Sequence, residues 1–361
     1  MACAVFLAKK GHSVTVLERG ERLGKKLSAT GNGQGNVTNV NMGAEHYHSD
    51  DKQKVAAALE KFGCRETVSF LESLGGIFLP DARGRVYPAS RQASSVTDLL
   101  RREISRLGID VCFGTQVSGL TYRDKFTLEW AGGQMRFDAV VLAAGGCAAP
   151  NFGTDGNGYT LAKKFSHTVT ELSPALVQLR CNPLGVRGLK GIRTDANAQL
   201  FRQNKCIYST RGDVLFTESG LSGDAIFRIS SYAKKGDTVT LDLLPDVPKE
   251  RLLKAYCTGG DLVGVVNNGL ARVLEKRAQG EEIIKLVKGF SLEVTGTLGF
   301  AYAQVTKGGI PLCETDGNFM SRFQKDFYLV GEILNVDGEC GGYNLQWAFT
   351  SAYLAAEGIG S

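Results

Sequence analysis

The chain has 361 residues, a formal net charge of +5, 43% hydrophobic and 22% charged side chains. That composition leaves room for a sizeable core and about two globular domains. The small charge and the lack of a long Lys/Arg run give no reason to invoke nucleic acid or an anionic membrane as partner, and no stretch approaches the ~18 apolar residues of a membrane span.

Forty-five glycines stand against eight prolines, so turns that need positive φ or close backbone approach are common, as in dinucleotide-binding folds. The nine cysteines show no C-x-x-C and no metal-ligand spacing with the four histidines, which speaks against zinc and a local redox dithiol. An odd count without a secretory signal fits reduced thiols and a cytoplasmic location. The apolar run Ala2 to Ala8 is not a signal core, because Lys9 and Lys10 follow it and no small-residue cleavage site is evident.

In chain order, Ala2 to Lys10 reads as a helix ended by Gly11, and SVTVLE (Ser13 to Glu18) as a β-branched strand closing on an acid. Glu18 holds the place of the acid that binds the adenosine ribose in dinucleotide folds; the alternative is a solvated strand end. The preceding strand and its G-x-G-x-x-G turn are missing, so the chain starts in the middle of a βαβ unit. GKKLSATGNGQGNVTN (Gly24 to Asn39) is too rich in Gly, Asn and Thr for a regular element and too long for a simple linker. Helices are expected over Gln53 to Phe62 and Arg65 to Leu74, then a hairpin through FLPDARGRVYPAS and a helix from Ala93 to Leu107. A short meander (Val111 to Phe113, Gln116 to Tyr122, Phe126 to Trp130, Met135 to Phe137) leads to AVVLAA (Ala139 to Ala144). That apolar run is a strand buried in a parallel sheet, ending at Gly145-Gly146; Gly153 to Gly158 then opens a helix over Tyr159 to Phe165.

From Ser173 to Leu298 the pattern changes to alternating segments (Ala175 to Arg180, Ala198 to Phe201, Lys205 to Tyr208, Thr238 to Leu243), with a helical cluster over Lys249 to Lys288. The sheet pattern resumes near Tyr302. A last buried strand, Phe327 to Val330, runs into Gly331 and Glu332, the paired Gly341-Gly342 and a helix opening near Asn344. Strand, glycine turn and helix in that order place Gly331 and Glu332 at a strand's carboxyl end and free helix N–H groups beside them, which favours an electron-rich ligand. An ordinary αβ connection is the other reading.

Six blocks in order, GKKLSATGNGQGNVTN, GRVYPASRQASSV, VVLAAGGCAAPNFGTDGNGY, LFTESGLSGDAIF, AQVTKGGI and VGEILNVDGECGGYNLQWAF, resemble the signature blocks of a bacterial family of FAD-dependent, NAD(P)/FAD oxidoreductase-like flavoproteins. Its members include aminoacetone oxidase and a 3-dehydro-bile acid Δ4,6-reductase. The resemblance implies an α/β, Rossmann-like FAD-binding domain, here without its first strand, carrying an inserted β domain and a small helical domain. The corresponding boundaries are 1–172 and 301–361 for the FAD-binding domain, 173–247 for the β insert, 248–290 for the helices and 291–300 for the insert's return strand. By position, the resemblance places Glu18, Lys26, Val117, Ala144, Gly145, Gly331, Glu332, Gly342, Tyr343, Asn344 and Leu345 against non-covalent FAD. Three positions depart from the family pattern: the phosphate-binding glycine turn is absent, Gln34-Gly35 replaces Arg-Cys, and Asp224 replaces a Pro. A chain truncated before the glycine-rich turn, or a start assigned too late, accounts for the first.

The expected activity is reduction of a conjugated carbonyl compound, a small enone-type molecule, by NAD(P)H through the flavin. With no second complete glycine-rich motif, NAD(P)H would visit transiently. An amine oxidase that makes peroxide and a non-catalytic dinucleotide-binding protein are the alternatives. Tyr343 is the weak catalytic candidate. Cys147 and Cys340 are suggested only by proximity to the flavin, small buried hydrophobes being the alternative. His46 and His48 are expected to be solvated rather than catalytic, and Arg83, Arg85 and Arg91 to be surface arginines, with recognition of an acidic substrate or of the FAD phosphates as the alternative.

Overall fold

The computed structural model describes residues 1–360 and divides into two compact units, Met1–Ser173 with the segment from Val305 onward, and Pro174–Gln304.

The first unit is α/β. Its parallel pairs are Thr15–Leu17 with Asp110–Cys112 and Val140–Leu142 with Phe327–Leu329. The last two strands are far apart in sequence, and both are apolar because helices cover them. The C-terminal helix Tyr343–Gly358 is the central one: its buried residues face nearly every direction, so it has no pronounced polar face. Its small residues Ala352, Ala355 and Ala356 share a cluster with Cys3 and Leu7 of the helix Ala2–Lys9 and with Tyr328 and Val330. The helix Ala93–Arg106 buries Ala93, Val96, Leu100 and Ile104, a stripe at three- and four-residue spacing. An antiparallel meander, Val117–Tyr122, Phe126–Trp130 and Gly133–Phe137, forms a further sheet of this unit.

The stretch Gly24 to Asn39 is more ordered than expected. It holds 3-10 turns over Leu27–Gly33, kinked where Gly31 and Asn32 adopt φ of 58° and 54°. It ends in a strand, Thr38–Asn39, that adds to the hairpin of Phe78–Pro80 and Arg85–Pro88. Two residues are too few to show a strand period in sequence.

The second unit is a closed six-stranded barrel, in the order Leu179–Cys181, Gly220–Ser222, Lys205–Phe216, Arg193–Arg202, Thr238–Asp242 and Phe290–Thr297, which returns to the first. Ala196, Ala198 and Leu200 alternate inward and meet Val214, Phe216, Val239, Leu241, Leu292 and Val294 in one cluster. The helices Lys249–Gly259, Asn268–Arg277 and Glu281–Lys288 add Leu252, Leu270, Leu274, Ile283 and Val287 to that same cluster. The segment that the sequence reading separates as 248–290 therefore shares the barrel's core. Asp224, in place of the family's Pro, opens the helix Asp224–Ser230 and pairs with Arg228 one turn on. Among the described residues, no helix is long and apolar enough to cross a membrane.

Candidate cofactor site

Parallel strands bring their carboxyl ends to one side, where α/β folds bind ligands. After Leu142 the chain exposes Ala143 and Ala144 and turns at Gly145, whose φ of 72° suits a residue without Cβ. The amides of Cys147 and Ala148 then donate to Thr306 Oγ1 at 2.7 and 3.0 Å. From the neighbouring strand, Glu332 accepts the Thr306 N–H on Oε1 at 2.9 Å and pairs through Oε2 with Lys26 Nζ at 2.7 Å. Lys26 Nζ also donates to the Ala148 carbonyl at 3.2 Å. Lys26, Gly145 and Glu332 are thus gathered around one turn. Gly331 lies beside them, but its N–H is committed to Ser351 Oγ at 2.9 Å.

The strand read as Ser13 to Glu18 is shorter, Thr15–Leu17; Glu18 follows it directly, and its Oε1 accepts the Gly20 N–H at 2.7 Å. Two contacts tie this corner to the 153–158 turn: Arg19 with Asp155 at 2.8 Å, and Asn157 Nδ2 to the Val117 carbonyl at 2.8 Å. Cys147 stands above the same turn, and burial, with Glu332 and Asp155 nearby, pushes its thiol above the ordinary range. It is therefore no ready thiolate.

The second group gathers at the opening of the helix Tyr343–Gly358. Gly342 is its N-cap, no side chain caps it, and the first intrahelical bond is Gln346 N–H to the Gly342 carbonyl at 3.0 Å. The N–H groups of Tyr343, Asn344 and Leu345 precede that bond. A Cβ on Gly342 would stand 2.5 Å from the Thr38 carbonyl oxygen and 2.7 Å from Asn36 Oδ1. Asn36 Oδ1 is itself buried without a hydrogen-bond partner. The Asn344 side chain folds back, exchanging hydrogen bonds with the N–H and carbonyl of Gly338 at 2.8 and 2.7 Å. Leu345 packs into the apolar cluster of Leu71 and Leu100. Tyr343 is buried; its hydroxyl donates to the Asn41 carbonyl at 3.3 Å, and Tyr47 donates to the Tyr343 carbonyl at 2.8 Å.

The histidines differ from expectation. Tyr47–Ser49 pairs antiparallel with Val336–Gly338, so side chains two residues apart share a face. His46 meets Glu339 at 3.1 Å and His48 meets the buried Asp337 at 3.0 Å, while the His46 ring stacks on Tyr343 with centroids 4.5 Å apart. Neither is a solvated loop residue, because the ribbon forms only when segments 289 to 293 residues apart pair. The i, i+2 spacing of both the histidines and the acids was the available sequence signal. Arg85 is held by Asp81 at 2.6 Å and Arg91 lies over the Tyr87 ring at 4.3 Å, which ties both to the hairpin. Thr306, Asn36 and Glu339 are the other site residues that sequence reasoning missed; nothing in their spacing marked the first two.

The family described as HI0933-like protein Rossmann domain matches residues 1–358. The 3-dehydro-bile acid delta(4,6)-reductase of Clostridium scindens is 36% identical over 374 residues, covering 95% of this chain and 91% of the relative. The ribosomal RNA dihydrouridine synthase of Haemophilus influenzae is 27% identical over 390 residues, covering 99% and 95%. Among solved structures, the 3-ketosteroid delta1-dehydrogenase of Sterolibacterium denitrificans in complex with 1,4-androstadiene-3,17-dione superposes with a TM-score of 0.55 at 12% identity, covering 99% of this chain and 96% of that one. The 3-ketosteroid-delta4-(5alpha)-dehydrogenase of Rhodococcus jostii RHA1 gives 0.54 at 15% identity, covering 98% and 93%. At such identities these two show a shared fold. The chain belongs to the HI0933-like family and is, with it, a Rossmann-fold enzyme of the FAD-dependent oxidoreductase class.

Proposed function

We propose that this protein reduces a carbon–carbon double bond conjugated to a carbonyl in a small molecule, using non-covalent FAD and NAD(P)H as the electron donor. The carrying observation is the 36% identity to a delta(4,6)-reductase along 95% of the chain. The more distant relatives form dihydrouridine in ribosomal RNA. That reaction also saturates a double bond conjugated to a carbonyl, so the bond type is common to both and the substrate is not.

The described residues fit FAD. Glu18 would accept the adenosine ribose hydroxyls, with Val117 beside the adenine and Ala144-Gly145 against the dinucleotide. The turn around Lys26, Gly331 and Glu332 would meet the ribityl and pyrophosphate region. The uncapped helix at Gly342 to Leu345 carries partial positive charge and would face the electron-rich edge of the flavin ring. Bound FAD supplies two-electron chemistry between donor and substrate, and the protein sets its tendency to accept electrons.

The test is anaerobic. NADH or NADPH should bleach the flavin, and a 3-oxo-4,6-diene steroid should restore its colour. Recovery with uridine-containing RNA alone would move the substrate to nucleic acid, the second reading. Bleaching by a small amine, with peroxide formed in air and no response to nicotinamide, would replace the proposal with an amine oxidase.

A further inference from the structure

We infer that the Asn36 carboxamide pairs with the imide edge of the flavin ring and is a cofactor-positioning residue; this rests on the FAD reading above. Asn36 is 8% exposed, yet its Oδ1 has no hydrogen-bond partner among the described residues. Buried amides without partners are uncommon in folded proteins and mark a place where something outside the chain completes the bonding.

Its position is fixed from both sides. Gly31, with φ of 58°, lies so close that a Cβ there would stand 2.9 Å from the Asn36 N, and the next residue is anchored by Val37 N–H to the Val86 carbonyl at 2.9 Å. The carboxamide therefore rests against Gly342, at the mouth of the uncapped helix.

The chemistry of this mouth is mixed. The helix offers N–H donors only, whereas Asn36 offers one acceptor and one donor pair, in either orientation of its amide. A phosphate or carboxylate would use the donors and leave the buried acceptor unpaired. A cyclic imide, which reads carbonyl, N–H, carbonyl along one edge, satisfies all of them. One imide carbonyl accepts from the helix, the ring N–H donates to Asn36, and the other carbonyl accepts from the Asn36 amide. The isoalloxazine ring has such an edge, and so does uracil.

The experiment is a titration of the full chain, stripped of cofactor, with FAD and with FAD methylated at N3, in wild type, Asn36→Leu and Asn36→Asp. Two hydrogen bonds predict FAD binding weaker by about ten- to a hundredfold in Asn36→Leu. N3-methylation should cost wild type about as much, and Asn36→Leu little more. Asn36→Asp, which keeps the acceptor and loses the donor, should fall between. Without cofactor, Asn36→Leu should melt no lower than wild type, since it removes a buried amide oxygen that has no partner; a merely structural role would lower it. Unchanged FAD affinity in Asn36→Leu, or an equal methylation penalty in both proteins, would overturn the inference and leave the FAD reading intact. Failure of wild type to bind FAD would overturn both. Uridine titrated into the FAD-loaded proteins separates the two imides: loss of uridine binding with FAD binding preserved would assign Asn36 to a substrate base and overturn the flavin assignment.

Discussion

Gly342→Ala tests whether the site depends on an open helix mouth. Gly342 has φ of 100°, and an added Cβ would meet the Thr38 carbonyl oxygen at 2.5 Å and carbon at 2.7 Å. An L side chain at such φ costs roughly 1–2 kcal/mol, and forcing one carbon into a packed place costs roughly 1–3 kcal/mol more. Thr38 cannot easily retreat: its strand pairs with Arg85–Pro88, and its hydroxyl is bonded to Gln346. The expected loss is therefore roughly 2–5 kcal/mol of unfolding free energy, measured by urea denaturation, together with weakened FAD binding in titration. Gly317→Ala is the control, since a Cβ there meets nothing within 4 Å. If Gly342→Ala unfolds within about 0.5 kcal/mol of that control and binds FAD like wild type, the reasoning is refuted.

Burial lowers the His167 pKa, only partly offset by Glu314 at 2.8 Å. The unfolded chain takes up that proton first, near pH ~6.5, so stability should be full above that pH and fall as pH drops below it. Melting curves between pH 7.5 and 5 should show this slope in wild type and less of it in His167→Gln. Glu103 acts in the same direction at lower pH: the Arg106 hydrogen bonds, with Lys9, hold its pKa at about 2. Its contribution is present above the unfolded value of ~4.3 and is lost as pH falls toward 2, so acid titration of Glu103→Gln should lack that component. In the barrel, Leu200→Ala should cost roughly 2–5 kcal/mol in urea denaturation, because Leu200 is wholly buried; a cost under about 1 kcal/mol would contradict its inward placement.

Much of this protein is local and so is legible in the sequence. The apolar runs Ala139 to Ala144 and Phe327 to Val330 became a parallel pair, the stripe on Ala93–Arg106 became a buried helix face, and the glycine turn before Tyr343 opens the last helix. Period, turn chemistry and caps act over a few residues, and six ordered blocks carried the family. What sequence periodicity could not reach depends on partners distant in the chain. Strands Arg193–Arg202 and Lys205–Phe216 were read at less than half their length, because their outward polar residues blur an alternation that only barrel closure makes visible. His46 and His48 looked like solvated loop residues until strand Val336–Gly338 supplied Glu339 and Asp337 opposite them. Asn36 was one asparagine in a glycine-rich stretch, and its isolation is a property of the packed state alone: an amide is unpaired only when tertiary structure has excluded water from it and provided no other partner.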